Sequence, residues 1–301
     1  MTISAKIVED STCDYLPSWI KRLTTFELRY NRYIHSEFLT HRNISRNASS
    51  SRAIPIKRLI EEAALFPAIP YHWGKAQSGM QASEELSGET LEATKAAWHE
   101  ARMAAVEYAQ RMADLGAAKQ VVNRILEPYT HITVVATASN YDNFFHLRQH
   151  RDAQPEIKVL ADKMWDTLAK STPKLLKHGM WHLPYVTDEE RNRVEKIDFG
   201  KGTYDGNPSF TNDDLIKMSV ARCARVSYLT HDGANPSFAA DAALYDRLVG
   251  SSPLHASPTE HQATPVLPQD SDNTKHGGNL GAGWIQFRKT LAGENFMKEA
   301  A

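Results

Sequence analysis

The chain has 301 residues, of which 42% are hydrophobic and 24% charged, and this composition excludes a wholly disordered protein. The 35 Lys and Arg residues balance 36 Asp and Glu residues, so the formal charge of -1 argues against a protein that mainly coats nucleic-acid backbone. No segment approaches the roughly 18 apolar residues of a membrane span and the first residues lack a secretory-signal layout, so we expect a cytoplasmic protein without a membrane partner.

The amino-terminal part predicts strands alternating with short helices. Residues 3–8 and 24–30 have β-branched and aromatic side chains at strand-like spacing. Short helices are predicted at residues 32–40 and 55–64, and the second begins with a proline, whose fixed φ suits a first helical turn. The intervening residues predict a turn. Residues 66–88 are rich in Pro, Gly, Ser and aromatics and predict a long loop.

The middle of the chain is predicted to be mostly helical. Residues 90–115 give the strongest helical pattern, and a further helix at 118–126 stops before Glu127-Pro128. A β-branched strand at 131–137 follows. Further helices are predicted at residues 141–150, 155–170, 212–225 and 241–249. Thr211 is the expected cap of the helix at 212–225.

Two segments of the last third have weaker patterns. The sequence WHLPYV at 181–186 is a short strand candidate. Residues 250–283 are rich in Pro, Ser, Asn and Gly and are uncommonly long for a structureless loop inside a compact domain, so we expect a loop that is either functional or flexible. Its GGNLGAG sequence does not match the GxGxxG fingerprint and follows no predicted strand, so we interpret it as a linker rather than a phosphate loop.

Residues 41–52, HRNISRNASSSR, combine three arginines, a histidine and several serines. Guanidinium groups pair with phosphate oxygens through two hydrogen bonds, and hydroxyl and backbone N–H groups supply neutral donors around the same anion. Such a segment is suited to binding phosphate. The residues alone leave three alternatives open: a solvated surface loop, a nucleic-acid-binding arm and a nucleotide site.

Two further arginines, Arg124 and Arg148, lie at the ends of apolar helical segments. The neighbours of Arg148 in NFFHLR, including Leu147, predict a largely buried helix, where an unpaired guanidinium is costly. Arg148 should therefore meet either a carboxylate, with Asp152 and Glu156 as candidates, or a bound anionic or polar substrate.

Metal and thiol chemistry are not indicated. Glu37 and His41 lie one helical turn apart but lack a third candidate ligand, so no metal site is predicted. Cys13 and Cys223 are far apart without a CxxC spacing, which favours two reduced, buried thiols. His261, beside Glu260 in HASPTEHQA, is compatible with acid–base chemistry, with stacking on a ligand or with a structural role.

Several blocks of the sequence together resemble the flavin-dependent thymidylate synthases (ThyX type). The signature segment (residues 40–53, THRNISRNASSSRA) agrees with the family pattern RHRxxSxNExSxRY at His41, Arg42, Ser45, Asn47, Ser50 and Arg52. NRILEP at 123–128, NFFHLR at 143–148 and AQPEI at 153–157 resemble a second block. Two blocks that precede the signature in the family, RVSF and TPFEH, have their counterparts downstream at 225–228 and 257–261. The order therefore resembles a circular permutation, which is tolerated where chain termini lie close together.

The resemblance implies an α+β, ThyX-like fold in which long helices flank a central, mainly antiparallel sheet. Residues 1–210 should form a nucleotide- and flavin-binding core with a helical portion. Residues 211–301 should be a permuted segment that packs back on this core, with a flexible loop at 250–283, so that the chain forms one structural domain. The tail from residue 264 has no counterpart in the family, and neither has the loop at 66–88.

The resemblance also implies the activity, which is the reductive methylation of dUMP to dTMP. Reduced FAD is the hydride donor, and methylenetetrahydrofolate and NADPH are co-substrates. By analogy the pyrimidine nucleotide is bound by Glu37, Ser50, Ser51, Arg52, Arg124 and Arg148, with Arg148 as the catalytic residue. The flavin is bound by His41, Arg42, Ser45, Asn47, Asn143, Ser227 and His261. Family members are homotetramers with shared active sites, and we expect the same here.

The chain departs from the family pattern at four positions of interest. Thr40, Ala48 and Ala53 replace an arginine, a glutamate and a tyrosine, and Glu37 stands where a substrate-side glutamine is expected. These changes leave open a related enzyme that acts on another pyrimidine nucleotide, such as dCMP, or that forms a hydroxymethyl product. A nucleic-acid-binding module is the non-enzymatic alternative, although the net charge speaks against a nucleic-acid partner. A divergent, permuted variant suits the cytoplasm of a bacterium or of a virus-infected host.

Overall fold

A computed structural model describes residues 3–79, 82, 84–195, 210–228, 236–271 and 275–294. The strands are β1 (Ser4–Thr12), β2 (Arg22–Asn31), β3 (Ser45–Ala48), β4 (His131–Ala138), β5 (Lys174–Leu175), β6 (Ala263–Pro265) and β7 (Trp284–Gln286). The α-helices are α1 (His35–Leu39), α2 (Ile56–Leu65), α3 (Gly88–Asp114), α4 (Lys119–Val122), α5 (Asp142–Arg148), α6 (Pro155–Ala169), α7 (Asp188–Glu195), α8 (Asn212–Tyr228) and α9 (Phe238–Val249).

A five-stranded sheet with the order β3-β4-β2-β1-β5 forms the centre of the fold. The pairs β1–β2, β2–β4 and β3–β4 are antiparallel, and only the two-residue β5 runs parallel to its neighbour β1. A separate antiparallel pair is formed by β6 and β7. The predicted mixed α+β class with a mainly antiparallel sheet is thus confirmed.

Helices cover both faces of this sheet because side chains alternate along its central strands. Val134 and Ala136 of β4 face a core that includes Phe144 of α5 and Leu160 of α6. The intervening Val135 packs on the opposite face against two buried side chains of α8, Cys223 and Val226. The long helix α3 lies outside the sheet and packs with α2 and the following turn in a smaller apolar cluster. None of the helices in the described ranges is long and apolar enough to cross a membrane.

Most predicted strands and helices are confirmed, with small shifts at their ends. Helix α8 has the expected cap, since the Thr211 hydroxyl accepts from the Asp214 amide at 3.2 Å and the Asp214 carboxylate accepts from Thr211. The helix predicted at 118–126 is divided into α4 and a 3-10 turn, Asn123–Tyr129, that contains Pro128. Proline has no N–H for the helical ladder, which explains the tighter turn.

Three interpretations of the sequence are wrong. The signature segment is not only a turn, because it contains strand β3. WHLPYV does not form a strand, and its His182 makes a single isolated bridge to Ala263. The region from 250 to 283, predicted as a flexible loop, contains the 3-10 turn Ser257–Glu260 and strand β6, whose residues are buried. Burial against the sheet, which local composition does not reveal, fixes these segments.

Candidate functional site

A cavity of about 710 Å³, the main cavity, opens where three separate segments meet. One wall is the connection from α1 to β3, with His41 and Arg42. A second is formed by the start of α5, with Asn143, and a third by Trp19 and residues 278–281. The predicted site residues His41, Arg42 and Asn143 therefore do line a common cavity. Its volume lies within the range of small-molecule sites.

Arg148, the last residue of α5, is held beside this cavity by neutral acceptors. Its Nε donates to His41 Nε2 at 2.9 Å, and Nη2 donates to Thr40 Oγ1 at 3.2 Å. The alternative of a core ion pair is wrong, because Asp152 contacts its own neighbours His150 and Arg151 instead. The other candidate carboxylate, that of Glu156, accepts hydrogen bonds from the Tyr71 amide and from Gln154.

His41 serves as the acceptor because it is neutral. Burial, together with the nearby Arg148 and Arg46, lowers the pKa of His41 to about 4. Its ring also packs edge-on against Phe144, with centroids 4.9 Å apart. Leu147 is exposed at the cavity instead of buried, so α5 presents one apolar face to the core and another to the cavity.

Glu37 lies next to this arginine without a side-chain ion pair in the described structure. The backbone oxygen of Glu37 accepts from Arg148 Nη2 at 3.4 Å, while its carboxylate Oε2 is buried and has no hydrogen-bond partner. Burial raises the pKa of Glu37, and the charge of Arg148 acts against this rise. An unsatisfied carboxylate oxygen at this place is a free acceptor for a ligand donor.

The polar residues of β3 connect the signature segment to the downstream blocks. Asn47 Nδ2 donates to the Cys223 carbonyl at 2.7 Å, and Asn47 Oδ1 accepts from Ser227 and Ser257 at 3.1 and 3.2 Å. Ser45 Oγ accepts from Gln286 of β7 at 3.0 Å. Ser45, Asn47 and Ser227 thus lie together, but they are not among the residues that line the main cavity.

A second group of predicted site residues lies at the other end of the signature segment. Ser51 Oγ donates to Glu127 Oε1 at 2.5 Å, and Arg124 donates to the same oxygen at 2.9 Å. The Ser50 amide donates to the Ser227 carbonyl, and the side chain of Arg52 is exposed. The structure therefore groups Ser51 and Arg124 around Glu127, and none of these three residues lines the main cavity.

His261 is completely buried and ends a chain of hydrogen bonds that crosses the sheet. The chain runs from Ser11 through His182, Thr25 and Thr137 to His261 Nδ1, with distances from 2.6 to 2.8 Å. Burial lowers the pKa of His261 to about 3, so its ring is neutral, and its Nε2 has no partner. His261 does not line the main cavity.

Sequence reasoning missed one complete wall of the cavity. Trp19 lies in the turn between β1 and β2, and residues 278–281 belong to the GGNLGAG sequence that we interpreted as a linker. The glycine cluster was visible in the sequence, but the test against the GxGxxG fingerprint set it aside, and no pattern in the sequence singles out Trp19.

The lining has the chemistry of a site for an anionic, partly aromatic ligand. Arg42 is exposed in the cavity, the amide side chains of Asn140 and Asn143 supply donors and acceptors, and Trp19 offers an aromatic face. No carboxylate is among the described residues that line it. Groups of three or more side chains suited to a metal ion are also absent from the described ranges.

The fold and this cavity define a mixed α+β protein with a cationic, amide-lined ligand site. Residues 23–174 match the family model described as thymidylate synthase complementing protein, and the chain therefore belongs to that family. This confirms the resemblance found in the signature segment. No curated protein sequence matches the chain.

Solved structures that are similar to the chain include a methylase and a thymidylate synthase. The UMP/dUMP methylase PolB from Streptomyces cacaoi, bound with 5-Br dUMP, is 19% identical over 56% of this chain and 90% of its own, with a TM-score of 0.44. The flavin-dependent thymidylate synthase ThyX from Helicobacter pylori, complexed with FAD and dUMP, is 17% identical over 50% of this chain and 69% of its own, with a TM-score of 0.34.

Proposed function

We propose that this protein methylates dUMP at C5 in a flavin-dependent reaction that uses methylenetetrahydrofolate and NADPH. Family membership supports the proposal. The observation that carries it is the hydrogen bond from Arg148 to His41, which joins the signature segment to the NFFHLR block beside the main cavity. Arg148 thus offers a substrate a charged donor next to a cavity that is large enough for a ligand.

The proposed reaction balances without a protein nucleophile. dUMP, methylenetetrahydrofolate, NADPH and one proton give dTMP, tetrahydrofolate and NADP⁺. The C5 proton leaves, a bond forms between C5 and the methylene carbon, and the bonds of that carbon to the folate nitrogens break. When bound, FAD carries the hydride from NADPH to the one-carbon unit. Burial raises the pKa of Cys223 well above the usual range of a thiol, which suits a scheme without a thiolate.

Arg148 is the residue that we assign to the pyrimidine. Its Nη1 group makes no hydrogen bond among the described residues, so two N–H donors remain for a ring carbonyl. Neutral His41 and Thr40 hold the guanidinium without cancelling its charge. A fixed guanidinium that forms no ion pair among the described residues can stabilise the electron density that develops on the ring during attack at carbon.

His41, Arg42 and Asn143 are the residues that we assign to FAD, since the cavity that they line fits an anionic and aromatic group. We place the remaining predicted flavin contacts, Ser45, Asn47, Ser227 and His261, behind this wall as supporting residues. They are hydrogen-bonded within the chain and lie on or against β3 and β4.

Ser50, Ser51, Arg52 and Arg124 are proposed to hold the nucleotide phosphate. Serine hydroxyls and exposed guanidinium groups are suitable donors for it. Because they are not part of the main cavity, we propose a homotetramer in which one subunit supplies the phosphate group of residues and another supplies the cavity.

We also propose that residues 1–210 and 211–301 form one permuted domain. The bonds from Asn47 to Cys223, Ser227 and Ser257 support this, because they place the downstream blocks directly on the signature strand. The buried packing of α8 on Val135 of β4 is a second support.

The test is a spectrum and an isotope assay on the purified full chain. Bound flavin should give the visible absorption of an oxidised flavoprotein, and dUMP should perturb this spectrum. With methylenetetrahydrofolate and NADPH, tritium should be released from the C5 position of labelled dUMP. A protein that neither binds added FAD nor releases tritium would contradict the proposal.

A second candidate is the same chemistry on a pyrimidine with a 4-amino group, such as dCMP. The observation that favours it is the unpartnered Oε2 of Glu37 beside Arg148, because a carboxylate accepts from the amino group of cytosine. Tritium release from dCMP and dUMP should be compared in the wild type and in Glu37→Gln. Mass analysis of the product separates a methyl from a hydroxymethyl group.

A further inference from the structure

Part of the main cavity is formed by segments outside the family match. Residues 40–44 and 139–147 lie within the matched range of 23–174. Trp19 precedes this range, and residues 278–281 follow it by about a hundred positions in the chain. This protein therefore supplies a wall that the family model does not describe.

This wall is fixed to the rest of the fold by several hydrogen bonds. Trp284 Nε1 donates to the Ile20 carbonyl at 2.7 Å, and Ser139 Oγ donates to the Leu280 carbonyl at 2.7 Å. Gln286 donates to Ser45 of the signature strand. The tail is thus tied both to the turn that carries Trp19 and to β3.

The glycine loop (residues 277–281) forms a tight turn, of which Gly278, Asn279, Leu280 and Gly281 line the cavity. A Cβ atom on Gly277 would lie 1.6 Å from the Gly281 carbonyl oxygen. Gly278 and Gly281 have φ angles of 55° and 75°, which disfavour other residues. The Leu280 and Gly281 amides donate within the loop, to the carbonyls of Gly277 and Gly278. The amides of Gly278 and Asn279 are thus the loop donors for phosphate oxygens.

Two walls of the cavity supply complementary chemistry. The Trp19 side chain is 60% exposed, although an indole usually stays buried. Arg42, on the wall formed by the connection from α1 to β3, takes part in no ion pair of the described structure and is exposed. A flat ring that is linked to a phosphate group satisfies both features.

We propose that Trp19, Arg42 and the glycine loop bind the adenosine diphosphate part of a dinucleotide. The adenine ring stacks on Trp19, and Arg42 and the amides of Gly278 and Asn279 contact the phosphates. This inference rests on the proposed function, because FAD and NADPH both carry this moiety. FMN lacks it and serves as the discriminating probe.

The experiment is equilibrium binding of ADP, FAD, FMN and NADPH to the purified full chain and to Trp19→Ala. Base–aromatic stacking predicts that the variant binds ADP about tenfold more weakly. The affinity for FAD or for NADPH should fall by the same factor. The compound whose affinity falls is identified as the dinucleotide that binds here. FMN affinity should not change. Trp19→Phe, which keeps an aromatic ring, should retain most of the affinity.

Trp165→Ala is the matched control. Trp165 is 49% exposed on α6 and does not line the main cavity, so its loss should leave all four affinities at wild-type values. Thermal unfolding of each variant shows whether it is folded. Arg42→Gln should weaken the binding of ADP but not the binding of adenosine.

The outcomes separate this inference from the proposed function. ADP binding that depends on Trp19 in a protein without flavin affinity supports the inference and refutes the flavin reaction. Flavin binding with unchanged ADP and dinucleotide affinities in Trp19→Ala overturns the inference and leaves the reaction intact. An equal loss of FMN and FAD also overturns it, because the ring on Trp19 would then be the flavin itself.

Discussion

Two arginines outside the signature segment, Arg148 near its first residues and Arg124 near its last, lie in different electrostatic settings. At the cavity end, Arg148 is held by His41 and Thr40, which are neutral acceptors that orient the guanidinium but leave its charge intact. At the other end, Arg124 is exposed and already paired with the carboxylate of Glu127. Arg148 is therefore oriented before a ligand binds, whereas Arg124 must exchange the Glu127 carboxylate for a ligand phosphate.

This difference separates two tasks of an enzyme. A preorganised charge that contributes during the reaction should affect turnover, since no reorganisation is needed at that moment. An exposed cluster that binds a phosphate equally in substrate and transition state should affect affinity alone. Mutations at the two ends should therefore change different kinetic constants.

The largest effect is expected for Arg148→Ala. Removing the only donor that we assign to the pyrimidine should lower kcat by about 10²–10³-fold or more, while FAD remains bound. Tritium release and the visible spectrum measure the two quantities. The control is Arg151→Ala, three residues away with a side chain that is 89% exposed, which should leave both unchanged. An active Arg148→Ala enzyme would contradict the assignment.

A smaller effect, on the affinity for the nucleotide, is expected for the arginines near the other end of the signature segment. Arg52→Ala and Arg124→Ala should each raise the KM for the nucleotide by about 10–100-fold, because each removes a charge-assisted hydrogen bond to phosphate. The kcat should stay close to that of the wild type. Lys57→Ala, an exposed cation nearby in sequence, serves as the control. A loss of kcat in place of the rise in KM would break the comparison between the two ends.

The neutral state of His41 predicts a pH dependence of stability. Its pKa is about 4 in the folded protein, below the usual value of 6.5 for a histidine. The unfolded chain therefore binds a proton more readily, and the stabilising contribution is complete above pH 6.5 and is lost as the pH falls from 6.5 to 4. The positive charges of Arg148, which donates to the ring, and of Arg46, which donates to the His41 carbonyl, increase this loss.

His41→Gln tests this dependence, since an amide oxygen can accept from Arg148 but does not titrate in this range. Other buried histidines, such as His182 and His261, also have lowered pKa values and contribute in both proteins. The relevant quantity is therefore the difference between the two urea-unfolding series from pH 7 to 4. The wild type should lose more stability, and parallel curves would show that His41 is not the group involved.

The sequence predicts the regular elements of this fold much better than its site. Apolar periodicity identifies β2, β4 and α6, because their buried faces are apolar. Strand β3 escapes this reasoning, since its buried residues, Ser45 and Asn47, are polar and are satisfied by partners far along the chain. No local pattern contains that information.

The signature motif identified residues at both ends of the segment, but not their division into two groups. That division depends on which side chains reach Glu127 and which reach the cavity, and only the tertiary structure determines it. The third wall, from Trp19 and the glycine loop, is missed because neither segment belongs to the motif.

The smallest effect is expected for Glu127→Gln. This substitution directly tests the pairing of Arg124 with Glu127. The carboxylate of Glu127 accepts from both Ser51 and Arg124, so it occupies the donors that a phosphate needs. Glutamine keeps the size and an acceptor oxygen but removes the competing charge. Because Arg124 is largely exposed, the ion pair itself is weak, and the nucleotide should bind only about two- to fivefold more tightly.

The same substitution combined with Arg124→Ala shows whether the gain comes from the freed guanidinium. In the double variant the tighter binding should disappear, since no released cation remains for the phosphate. Calorimetric titration of dUMP into the four proteins measures this coupling. If Glu127→Gln weakens binding instead, Glu127 does not compete with the phosphate but orients Ser51 and Arg124 for it. The second end of the signature segment would then be preorganised like the first.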